Sequence, residues 1–172
     1  GKIHFIGVSN WTTQRIEEAN KFAEENGMEP IRISQINYSL AHSSVETFGD
    51  NTLVCMDTKE FRWYKKHDFP VMAFSPQAKG FFAKLAKGDA ANNLPEGQYA
   101  GPANLARLAK VKQLSEQTGD TPAKITLGYL NSQPFFVSSV FAVTKLWQLD
   151  EDMEAQDLTY DPKTVAFLEN MI

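Results

Sequence analysis

Residues 2–11, Lys-Ile-His-Phe-Ile-Gly-Val-Ser-Asn-Trp, constrain this chain more than any other stretch. Ile3, Phe5, Ile6 and Val8 form an apolar run in which apolar and polar side chains do not alternate strictly. A run of that kind predicts a strand buried on both faces, as in a parallel sheet. Ser9-Asn10 ends it and Thr12-Thr13 starts a helix. Two small polar side chains therefore stand at the carboxyl end of a strand, where parallel α/β sheets hold their ligands. The plainer alternative is that Ser9 and Asn10 only lead into the helix cap.

The same strand-then-helix rhythm continues along the chain. Ile16, Ala19, Phe22 and Ala23 give a helix from Thr12 or Thr13 to about Asn26 its apolar stripe, and Gly27 is its stop. Residues 31–38 read as the next strand, with Gln35 and Asn37 as amides that need partners if buried. Residues 41–56 read as a loop. His42 follows the strand, but nothing nearby supplies the second group that would make it catalytic. Asp57-Thr58 opens a short helix whose aromatics, Phe61, Trp63 and Tyr64, serve packing.

Residues 71–74 form a third strand, ended by Phe74 and followed by Ser75-Pro76-Gln77-Ala78-Lys79-Gly80. Phe74 can offer a flat face to a planar ligand, and Ser75 with the loop amides can meet an anion. A core phenylalanine and a surface turn are the alternative. Residues 84–102 are polar or small and too long for a tight turn, which predicts a mobile segment near the ligand. Leu105, Leu108, Val111 and Leu114 stripe a helix that Gly119 ends. Thr121-Pro122 begins another, with Ile125, Leu127 and Leu130 inward. Residues 135–141 give the last strand. A helix begins within 142–152, and Thr164 starts a closing one that runs to Ile172.

Composition narrows the function classes. With 172 residues, 42% of them hydrophobic, the chain can bury one core as a single domain over 1–172. No apolar run approaches the roughly 20 residues that span a bilayer, and the opening residues do not read as a signal peptide. A single cysteine, Cys55, excludes an internal disulfide and a cysteine-rich zinc site, which fits a cytoplasmic setting. No metal site is expected. A net charge of −4 and the lack of a basic, aromatic-laced cluster argue against nucleic acid as a partner.

Four stretches together carry a resemblance. Gly-Lys-Ile-x-x-Ile-Gly-Val-Ser-Asn-Trp resembles the fifth strand of the aldo-keto reductases, and residues 31–38, 71–82 and 142–152 resemble later parts of that barrel in the same order. The resemblance implies an α/β fold of (β/α) TIM-barrel type, seen as a half barrel. It implies nicotinamide dinucleotide, NADP(H) or NAD(H), as cofactor. Ser9, Asn10 and Gln35 would hold the carboxamide, and Phe74, in a place often taken by Tyr, would stack on the ring. Ser75, Gln77, Lys79 and Gly80 would line the pyrophosphate. Thr144, Lys145, Gln148, Glu151 and Asp152 would meet the adenosine end, where the family places a 2′-phosphate at a helix N-terminus. Ala142 stands where the family has Gly, there is no arginine, and Asp150, Glu151 and Asp152 crowd the segment.

The family's proton-donating Tyr and its Asp, Lys and His companions have no matching positions here. The expectation is a chain that binds the dinucleotide but is inactive alone. Four strands leave open edges, so a first-half barrel or a second copy is expected as partner. The alternative function is a non-catalytic nucleotide-binding or regulatory subunit of the same fold.

Overall fold

The computed structural model describes residues 2–88 and 98–169. Four strands, β1 (Ile6–Ser9), β2 (Ile31–Asn37), β3 (Val71–Phe74) and β4 (Val137–Val140), form one sheet in the order β1-β2-β3-β4. Every pairing is parallel. Parallel neighbours need crossovers, and helices supply them. These are α1 (Thr13–Glu25) after β1, α2 (Val45–Phe48) and α3 (Thr58–His67) after β2, and α4 (Phe81–Ala86), α5 (Pro102–Thr118) and α6 (Pro122–Asn131) after β3. Then α7 (Leu146–Glu154) and α8 (Pro162–Leu168) follow β4. This is the alternating α/β order of half a TIM-type barrel.

Local chemistry sets several boundaries as the sequence predicts. The Thr12 hydroxyl accepts the Arg15 N–H to cap α1, and Gly27 leaves it with φ of 62°. Asp57 caps α3 through the Glu60 N–H, and Thr121 caps α6 with Pro122 in its first turn. Gly119, at φ of 80°, ends α5.

The two faces of the sheet differ. Ser34, Ile36, Val71 and Ala73 point to the helices and are sealed, in one core with Tyr38, Tyr64, Phe81, Phe82, Val111, Ile125 and Leu130. Ser9, Gln35, Met72 and Ser138 stand at one level in register, and strand alternation sends them to the opposite face. That face is only partly covered.

Several expectations are corrected. The opening apolar run is not buried on both faces. Ile3 and Phe5 are 74% and 71% exposed, Ile6 is exposed too, and strand pairing starts only at Ile6. The cause is position, since β1 pairs with β2 alone and lies at the sheet edge. Phe22 is exposed, because only Ile16 and Ala23 of the α1 stripe lie against the core, and Leu105 is exposed on α5 for the same kind of reason. Residues 41–56 are not plain loop. Ser44 caps α2 by exchanging hydrogen bonds with Thr47, and Cys55 bridges to Asn37 beside β2. Asn37, rather than Gln35, is the fully buried amide of β2. Lys84 belongs to α4, and Pro102 to the first turn of α5. Residues 89–97 of the expected mobile segment, and 170–172 of the closing helix, lie outside the described residues.

Candidate functional site

The carboxyl ends of the strands gather most of the expected residues. Ser9 is the Cα partner of Gln35, and Phe74 is the partner of both Asn37 on β2 and Val140 on β4. Ser9 and Gln35 are thus side by side on the partly open face, with Phe74 one level nearer the strand ends.

The turn after β1 is held from three sides. The Asn10 N–H donates to the Gln35 carbonyl at 2.9 Å, and Asn10 Oδ1 accepts the Val54 N–H at 3.1 Å. Asn10 sits at φ of 56°, a left-handed conformation that asparagine tolerates better than most residues. The third anchor is Glu60 of α3. Its carboxylate accepts the Thr13 N–H at 3.0 Å and the Thr13 hydroxyl at 3.3 Å at the start of α1. Burial pushes the Glu60 carboxyl up from the ordinary glutamate range.

After β3 the chain turns through left-handed backbone at Ser75, Ala78, Lys79 and Gly80. The turn closes on itself, the Ala78 N–H donating to the Ser75 carbonyl and the Gly80 N–H to the Gln77 carbonyl, each at 2.9 Å. Gly80 then begins α4 without a side-chain cap. Lys79 Nζ donates to Gln98 Oε1 at 2.8 Å, and the Lys79 carbonyl accepts from Lys84 Nζ at 3.0 Å.

A pocket of about 210 Å³ opens between α4, α6 and α7. It brings together Gln77, Gly80, Gln148, Glu151 and Asp152 of the expected set. Asp152 is 4% exposed, because its carboxylate accepts from Gln77 Nε2 at 2.6 Å and ties α7 to the β3 loop. Burial raises its carboxyl above the usual range, an effect that the Gln77 hydrogen bond opposes. At the entry of α7, Gln148 Oε1 accepts three hydrogen bonds, from the Thr144 N–H, the Thr144 hydroxyl and the Lys145 N–H. Ser9, Asn10, Gln35, Phe74, Ser75, Lys79, Thr144 and Lys145 do not line this pocket.

Residues 1–172 match the family model described as Aldo/keto reductase family. The chain belongs to the aldo/keto reductase family. It is similar to the L-glyceraldehyde 3-phosphate reductase of Escherichia coli (strain K12), 23% identical over 188 residues, covering 100% of this chain and 50% of that protein. It is also similar to Protein tas of the same organism, 23% identical over 171 residues, covering 98% of this chain and 48% of that one. Among solved structures, a thermostable aldo-keto reductase, Tm1743, in complex with the inhibitor epalrestat, matches with a TM-score of 0.62 at 17% identity. That match covers 96% of this chain and 47% of the other, and it speaks to the fold. The chain spans about half the length of the curated relatives it matches.

The two lysines of the pocket in this aldo/keto reductase chain, Lys84 and Lys87, are not among the residues its sequence singled out. They line the pocket with Trp147, and the Lys87 ammonium lies 5.1 Å over the Trp147 ring. The signal was the pair of lysines spaced by three, which α4 and the turn after it bring to one side. Without α4 in the reading, that spacing had no meaning. Among the described residues, no group of three or more His, Cys, Asp or Glu side chains is placed to hold a metal ion. No helix of the described residues is long and apolar enough to cross a membrane.

Proposed function

We propose that this chain forms the NAD(P)(H)-holding part of an aldo-keto reductase-like oxidoreductase, which transfers hydride between the nicotinamide and a carbonyl or alcohol. The observation that carries the reading is the register of Ser9 with Gln35 and of Asn37 with Phe74, at the carboxyl end of a parallel sheet. The residues fit the nicotinamide end. Asn10 Oδ1 is engaged by the Val54 N–H, while its NH₂ donates to nothing among the described residues and is free for a carboxamide oxygen.

In this reading Ser9, Asn10 and Gln35 hold the carboxamide and fix which ring face is presented. Phe74 supports the ring by stacking. Ser75 and the loop of Gln77, Lys79 and Gly80 meet the pyrophosphate, with Lys79 as the cation. The bound dinucleotide supplies the hydride. The proton donor belongs to a part of the barrel outside residues 1–172, and turnover requires that part. General acid catalysis is typically worth about 10²–10⁴-fold, so the chain by itself is a binding unit. A cytoplasmic setting goes with this chemistry.

The same reading assigns the sheet edges to a partner, either a first-half barrel or a second copy. Exposed Ile3, Phe5 and Ile6 beside β1, and Phe136 and Val140 at β4, support it. A stable, monodisperse monomer in sedimentation would remove that part of the proposal.

Cofactor binding is tested by titrating the chain with NADH and NADPH while following tryptophan fluorescence, since Trp11 follows Ser9-Asn10 and Trp147 lines the pocket. Saturable quenching is expected. Asn10→Asp keeps the acceptor for Val54 and the tolerance for left-handed backbone but loses the NH₂, and should weaken binding by roughly tenfold. A folded sample that shows no saturable quenching with either dinucleotide refutes the reading.

A further inference from the structure

The adenosine end of the pocket carries its own selectivity, and this inference rests on the dinucleotide reading above. A 2′-phosphate brings about −1.5 to −2 of charge near neutral pH and needs N–H donors or cations. The donors just ahead of α7 are already engaged. The Thr144 N–H, the Thr144 hydroxyl and the Lys145 N–H are all spent on Gln148 Oε1. A phosphate using those groups must first displace three hydrogen bonds.

The charges nearby point the same way. Lys84 is turned to the Lys79 carbonyl, and Lys87 lies over Trp147. Lys145 is exposed. Glu151 and Asp152 line the pocket beside Gln148, and Asp150 precedes them on the same helix. Carboxylates repel a phosphate dianion. They accept hydrogen bonds readily, and a ribose 2′,3′-diol has two hydroxyls to donate.

We infer that the pocket between α4, α6 and α7 selects the dinucleotide whose adenosine ribose carries a free 2′-hydroxyl, NAD(H), over its 2′-phosphorylated counterpart, with Gln148 closing the α7 entry and Glu151 accepting from the diol. NADP(H) does not fit the residues present, which departs from what the family resemblance implies for this segment.

The test compares equilibrium binding of NADH with NADPH by fluorescence, and of 5′-AMP with 2′,5′-ADP by calorimetry, so that the adenosine end is read without the nicotinamide. The unphosphorylated member of each pair should bind roughly tenfold tighter, the scale of one or two like-charge contacts. The double variant E151Q/D152N keeps an acceptor for Gln77. It should raise NADPH affinity by roughly tenfold and weaken NADH several-fold by loss of the charged acceptor for the diol, so that the preference for NADH falls or reverses. Should that variant fail to fold, Glu151→Gln alone, at a half-buried position, should shift the ratio in the same direction. NADPH binding as tightly as NADH in the unaltered chain, or equal changes for both in the variant, overturns the inference and leaves the function proposal standing. Failure of every ligand to bind a folded sample removes both.

Discussion

Replacing Glu60 by alanine should cost more than an ordinary helix-surface change, and the cost can be built from the structure. Glu60 is 5% exposed, and Thr13, which it serves, is 2% exposed. Its carboxylate is the acceptor for both the Thr13 N–H and the Thr13 hydroxyl. A buried donor left without an acceptor costs about 1–3 kcal/mol. The carboxylate also faces the N-terminus of α1, an arrangement worth about 0.3–1 kcal/mol. Against this stands relief from holding a carboxylate in a dry site, so the net loss for Glu60→Ala should be about 2–3 kcal/mol. Glu60→Gln preserves an acceptor for the N–H and a partner for the hydroxyl without the buried charge, and should stay within about 1 kcal/mol of the parent. Urea denaturation followed by circular dichroism measures both, with the slope checked for constancy. The pH dependence adds a second handle. Burial raises the folded-state pKa of Glu60 above its ordinary value of 4.5, so the folded chain binds the proton more tightly than the unfolded one. The stability gained from that proton is fully present below 4.5 and is lost as pH rises through the folded-state value. The parent should therefore lose ground to Glu60→Gln on going from acid to neutral pH. An alanine variant as stable as the parent, or a glutamine variant as damaged as the alanine one, would refute the hydrogen-bond account.

Asn104→Ala should destabilise by about 2–4 kcal/mol in the same assay, because the buried amide accepts the His42 N–H and donates to the carbonyls of His42 and Tyr99. Gly128→Ala should cost about 1–3 kcal/mol by overpacking, since a Cβ there would lie 2.8 Å from Tyr160 Cε2 and 2.9 Å from Leu158 Cγ. Thermal melts would show it as a lower midpoint. Asp161→Ala should cost about 1 kcal/mol by uncapping α8, where the carboxylate accepts the Lys163 and Thr164 N–H groups.

What the sequence revealed depended on how local each signal was. Thr12, Gly27, Asp57, Thr121 and Gly119 act within one turn of backbone, and they mark helix ends in the structure as they do in the sequence. The burial of β1 is not local. Ile3, Phe5 and Ile6 spell the same run whether or not another element covers them, so an edge strand read as a buried one. α4 escaped because Gly80 starts it with no capping side chain, and with α4 went the meaning of Lys84 and Lys87. The amides of β2 were legible as residues needing partners. Which one is buried depends on Ser43 and Phe74, which meet Asn37 from six and 37 positions away.

The unequal pairing of the strands sets an order in which the sheet can come apart. β2 and β3 each have a neighbour on both sides, while β1 and β4 have one. Local opening follows the number of contacts that must be broken, so β1 detaches at a lower free energy than releases β2. Ser9 lies on that detachable margin, whereas Gln35, its register partner, lies on the strand that holds longest. Any ligand bridging the two clamps the margin to the centre, and its affinity carries the cost of keeping β1 docked. Amide exchange along β1 is then a gauge of occupancy, slowing on binding while β2 hardly responds.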